Sequence, residues 1–153
     1  MEIRRSALIT QSAENTFDLI EAAEYYPSFL PWCADAVVLA RDDNEVSARI
    51  TINYHGLRFE LTTRNPKQRP HWMAIHLERG PFRHFDGEWR LTELGAEGCK
   101  IEFMLRYEFD TTFASLLASN VFDRIAGTLV DAFARRAEDM GSGGKPCADA
   151  IPL

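Results

Sequence analysis

A change of hydrophobic period at Phe113 constrains this chain more than any other feature of its sequence. Upstream, apolar residues recur at every second position, as in strands with one wet and one apolar face. Val46, Ala48, Ile50, Ile52 and Tyr54 alternate with polar residues, and Leu57, Phe59 and Leu61 follow after a His55-Gly56 turn. Met73, Ile75 and Leu77 continue the pattern, then Phe85 to Leu94. Ile101, Phe103, Leu105, Tyr107 and Phe109 give its cleanest run. From Phe113 to Met140 the spacing becomes helical: Phe113, Leu117, Val121, Ile125, Leu129, Phe133 and Ala137 recur every four residues. That stripe predicts one helix roughly 40 Å long.

The N-terminal part completes the order of elements. Glu2 to Thr10 alternates as a first strand, and Ser12 suits the N-cap of a helix over Ala13 to Ala23. A second short helix falls in the aromatic and proline-rich stretch Tyr25-Tyr26-Pro27-Ser28-Phe29-Leu30-Pro31-Trp32-Cys33, and Ala36 to Ala40 forms the next strand. Turns are expected at Asp42-Asp43-Asn44, Asn65-Pro66-Lys67, Gly80-Pro81 and Gly95–Gly98. The predicted order is strand, two helices, six strands and one long helix: an α+β fold. A seven-stranded antiparallel sheet must cover its single apolar face, and only the long helix can span it. A curved sheet around one helix leaves room for an elongated apolar ligand. The kinked segment at Pro27 and Pro31 is suited to act as a lid. The chain reads as one domain over residues 1–140, with a glycine-rich, disordered tail at 141–153.

Composition narrows the function. Net charge is −6, from 17 basic and 23 acidic side chains, against a surface built wholly on phosphate contacts and against DNA binding. No signal-peptide pattern opens the chain and no apolar run reaches membrane-spanning length, which predicts a cytoplasmic protein, with peripheral contact at the inner membrane allowed. The three cysteines, Cys33, Cys99 and Cys147, form neither a disulfide framework nor a metal motif. His71, His76 and His84 lack metal-ligand spacing, and Ser6, Ser12, Ser28 and Ser47 sit in no nucleophile context. Glu60, Glu78, Glu88 and Glu102 fall on the outward phase, where Arg58, Arg79, Arg90 and Lys100 can pair with them. No catalytic pair, cofactor motif or phosphate loop is written here, so the chain reads as a binder. The inward residues either fill a dry core or line a cavity, and Tyr54 and Tyr107 could offer hydroxyls to a ligand. The basic residues Arg58, Arg64, Lys67, Arg69, Arg79, Arg83 and Arg90 form either a solvated sheet face or a contact for lipid headgroups or RNA.

Several motifs in a fixed order carry a family resemblance. They are Tyr26-Pro27-x-Phe29-Leu30-Pro31-Trp32-Cys33, Thr62-Thr63-Arg64-Asn65, Gly80-Pro81-Phe82, Gly87-x-Trp89 and Cys99-Lys100-Ile101-Glu102-Phe103. Over residues 2 to about 140 the chain resembles the coenzyme-Q-binding-protein/RatA family, a branch of the START-like, helix-grip (polyketide cyclase/dehydrase) superfamily. The resemblance implies a helix-grip fold and non-enzymatic binding of ubiquinone as a lipid carrier, with no cofactor. The alternative it implies is a RatA-type toxin that binds the large ribosomal subunit and blocks subunit association. An aromatic cyclase would need an internal acid/base pair that the inward phase lacks. Carried over by position, the expected ligand-binding residues are Pro27, Phe29, Leu30, Trp32, Tyr54, Phe59, Ile75, Pro81, Phe82, Trp89, Phe103, Leu129 and Phe133.

Overall fold

A computed structural model describes residues 1–111 and 115–143. Its elements run β1 (Glu2–Ile9), α1 (Ala13–Glu21), a 3₁₀ turn (Ala23–Ser28), β2 (Cys33–Arg41), β3 (Glu45–Tyr54), β4 (Leu57–Gln68), β5 (Trp72–Arg79), β6 (Phe82–Glu93), β7 (Cys99–Phe109) and α2 (Leu116–Gly143). The strands form one antiparallel sheet in the order β1-β7-β6-β5-β4-β3-β2. β1 and β2, neighbours in sequence, therefore lie at opposite edges, and α1 and the 3₁₀ turn cross between them. α2 packs on the face that the alternating residues present, as a helix grip.

Local chemistry accounts for these boundaries. Ser12 caps α1 by accepting from the Asn15 backbone N–H at 3.1 Å. The β3–β4 hairpin turns on two residues, His55 at φ 49° and Gly56 at φ 85°, a left-handed pair that matches the twist of the strands. Gly87, buried in β6, keeps neighbouring strands close: a Cβ there would stand 3.0 Å from the Met104 carbonyl oxygen. At Gly127 in α2 a Cβ would stand 3.2 Å from Arg5 Nη2, so the glycine admits the β1 guanidinium.

Several sequence expectations need correction. Asn65-Pro66-Lys67 is not a turn but part of β4. Glu45 opposes Pro66, while the β4–β5 ladder passes from Arg64 opposite His76 to Lys67 opposite Met73. A proline without an N–H donor is tolerated at that interruption. The chain reverses instead beyond Gln68, where Arg69 and Pro70 are joined by a cis peptide. α1 ends at Glu21, two residues early, and β2 begins at Cys33, three residues before Ala36. Leu117 is not part of the buried stripe: it is 66% exposed, and the buried face of α2 begins at its neighbour Ala118 and continues at Val121 and Phe122. Phe113 lies outside the described residues. So does 144–153 of the expected tail, whereas 141–143 continue α2.

Candidate functional site

Between α2 and the sheet lies a mostly apolar cavity of about 130 Å³. Trp89 and Phe103, with ring centroids 4.6 Å apart, form its floor on β6 and β7. Ile125, Leu129 and Phe133 of α2 cover it, and Ile75, Met73 and Ile52 come from the strands. The 3₁₀ turn closes one side. Tyr26 packs edge-on against Phe133 at 5.4 Å and donates its hydroxyl to the Ile20 carbonyl.

β4 gives the cavity a polar end. Its inward phase begins Leu57, Phe59, Leu61 and then changes to Thr63, Asn65, Lys67. Lys67 Nζ meets Glu21 Oε1 at 2.6 Å, with only 6% and 14% of the two side chains exposed. Arg41 holds the other Glu21 oxygen at 2.8 Å, and also pairs with Glu24. Asn65 Nδ2 donates to the Met73 sulfur at 3.6 Å, while its Oδ1 is sealed from solvent with no hydrogen-bond partner. Thr63, Asn65 and Glu21 line the cavity; Lys67 stands behind them.

Of the thirteen expected residues, Trp32, Ile75, Trp89, Phe103, Leu129 and Phe133 line this cavity. The other seven do not. Phe59 and Phe82 belong to an aromatic cluster with Phe85, Tyr107, Phe109 and Phe122, in which Phe82 stacks on Phe109 at 4.6 Å. Pro81 lies in the turn before it, at the same end. Leu30 is buried beneath the 3₁₀ turn, and Pro27 faces outward. Phe29 and Tyr54 border a separate surface groove, where Arg136 lies over the Phe29 ring at 5.2 Å. Alternation identifies a strand's inner face but not which stretch of it the helix leaves uncovered, so residues from the closed end were included. The polar end was missed because Asn65 and Lys67 were read as a turn. Extending the period-2 pattern through them would have found it.

Chemically, the lining offers little proton-transfer capacity. Its titratable groups are Glu21, tied to two cations, and Tyr26, whose hydroxyl ionises far above its ordinary range because it is buried. Neither expected tyrosine reaches the cavity: Tyr107 donates to the Ser119 carbonyl at 3.2 Å, and Tyr54 sits against His55. Burial pushes the Cys33 thiol up to about 12, so it is no nucleophile near neutrality. Among the described residues, no three His, Cys, Asp or Glu side chains are placed to hold a metal, and no helix is long and apolar enough to cross a membrane. Five of the seven basic residues of the expected patch are engaged: Arg64 with Glu45 and Glu78, Lys67 with Glu21, Arg69 with Asp18, Arg83 with Glu108 and Arg90 with Glu88. Glu78 thus pairs with Arg64 and not with its neighbour Arg79.

A long helix gripped by a curved antiparallel sheet, with an apolar cavity between them, defines a ligand-binding class of fold. The chain belongs to the polyketide cyclase/dehydrase and lipid transport family, whose model matches residues 9–134. It is 33% identical over 141 residues to the ribosome association toxin RatA of Escherichia coli K12, covering 92% of this chain and 89% of that protein. A mitochondrial coenzyme Q-binding protein, COQ10 homolog B of Xenopus laevis, is 25% identical over 142 residues, covering 90% of this chain and 58% of that protein. Among solved structures, the Zhui aromatase/cyclase from Streptomyces sp. R1128 superposes with a TM-score of 0.80 at 16% identity, over 95% of this chain and 98% of that one. At that identity the likeness concerns the fold alone.

Proposed function

We propose that this chain is a non-catalytic binding protein that associates with the large ribosomal subunit, in the manner of a RatA-type toxin. The similarity to ribosome association toxins along nearly the whole of both chains carries this reading. On this reading the protein works in the cytoplasm. The RNA contact would use arginines that no carboxylate engages among the described residues. Arg58 and Arg79 remain from the basic patch, and Arg49 joins them: Thr62 of β4 lies opposite Arg49 on one side and Arg79 on the other. Sedimentation with purified subunits through sucrose gradients of rising salt tests the reading. Binding at low salt that weakens with salt is expected, and an R58E/R79E double variant should weaken it by about tenfold or more. No co-sedimentation at low salt would overturn it.

The cavity and the coenzyme Q-binding relative favour a second reading, carriage of an apolar ligand of the ubiquinone class. A volume of about 130 Å³ suits a ring or a first isoprene unit more than a long tail, since pockets for drug-sized ligands run to several hundred Å³. Mass spectrometry of an organic extract of protein from a quinone-producing bacterium decides it: stoichiometric ubiquinone supports carriage, and an empty cavity rejects it. Trp32 and Trp89 are unsuitable for charge substitution in such tests, because both are buried in the core.

A further inference from the structure

We propose that the cavity selects a ring-sized apolar ligand bearing a hydrogen-bond donor, a phenol or hydroquinone hydroxyl, seated against Asn65. The inference rests on the apolar-ligand reading of the cavity and adds which end of the ligand is recognised, and by what. The polar end leaves one acceptor without a partner, Asn65 Oδ1. Both Glu21 oxygens are taken, by Lys67 and by Arg41, and the Lys67 ammonium is held to Glu21 at 2.6 Å. The Asn65 amide points its NH₂ at the Met73 sulfur, which fixes its oxygen as the group left over. That oxygen is closed even to water and unpaired, a state that costs free energy, and a ligand hydroxyl entering the cavity reaches it as the side chains covering it shift. Met73 beside it is unbranched and adaptable, the kind of side chain that yields to an incoming group. The remaining surface is mostly apolar, with Trp89 and Phe103 packed together as a floor on which a ring can lie. A ligand that brings a carbonyl or ether oxygen to Asn65 would set acceptor against acceptor there and leave Oδ1 unpaired. The hydroxylated form of a ring compound is therefore favoured over its oxidised or methylated form.

The test uses the full chain and three small probes of similar shape: 4-ethylphenol, 4-ethylanisole and ethyltoluene, titrated by calorimetry or by NMR shifts. The phenol is expected to bind about tenfold or more tightly than its methyl ether. In Asn65→Leu the two should bind alike, with ethyltoluene binding retained. Equal binding of phenol and ether by the unaltered protein would overturn the role of the polar end while leaving the ligand reading intact. So would a preference that survives Asn65→Leu. Failure of all three probes to bind would overturn both. The comparison within the unaltered protein needs no variant, so the inference stays testable even where Asn65→Leu does not fold.

Discussion

The two ends of the space beneath α2 are built from the same kinds of residue and come out differently. At the β5–β6 turn end, Phe59, Phe82, Tyr107, Phe109 and Phe122 meet edge to face or stacked, mostly 4.6 to 6 Å apart, and leave no gap among themselves. Beyond Phe122 the helix brings Ile125, Ala126, Leu129 and Phe133 to the cavity, whose wall on the sheet mixes Ala48, Ile52 and Ile75 with Trp89 and Phe103. What separates them is how the side chains meet: rings pack on rings at one end, small aliphatic residues stand among large rings around a void at the other, and β4 turns polar at its far corner.

That contrast can be broken by substitution. Phe82→Ala removes a buried ring that meets five other aromatic rings and should cost about 4 kcal/mol, read from urea denaturation. Glu21→Ala strands Lys67 at the polar end and should cost about 3 kcal/mol by the same measurement, since a buried charge is left without its carboxylate. Leu129→Ala sits over the hollow end, half-buried and already beside a void, and should cost only about 1 to 2 kcal/mol. If Leu129→Ala cost as much as Phe82→Ala, the hollow end would be filled in solution, and the contrast would disappear.

Much of this contrast was out of reach of the sequence, for reasons visible in particular residues. Period 2 in β7 and period 3.6 from Val121 onward located the sheet, the helix and the faces they share, because those patterns are the direct imprint of one-sided burial. Leu117 keeps the same spacing but is exposed, while its neighbour Ala118 takes the buried position. Pro66 suggested a turn because a proline usually ends pairing, and only the interrupted β4–β5 ladder makes room for it inside a strand. Phe82 and Trp89 are both aromatic, inward and on β6, yet one fills space and the other borders it. That difference depends on the facing helix residues, which alternation along a single strand does not encode.

The partnership of the first strand with the last has a consequence in time. Glu2 pairs with Arg106 and Ile9 with Cys99, so β1 must wait unpaired until nearly all of the sheet has been synthesised. Sequence separation of that order slows closure, because the loop entropy is lost before the pairing compensates for it. During synthesis the hairpins from β2 to β6 can form in turn, while Ile3 and Ile9 find their places only after β7 has left the exit tunnel. The helix emerges last, and the enclosed space exists only once it has docked. A nascent chain therefore passes through most of its translation with the sheet open and nothing for a ligand to occupy.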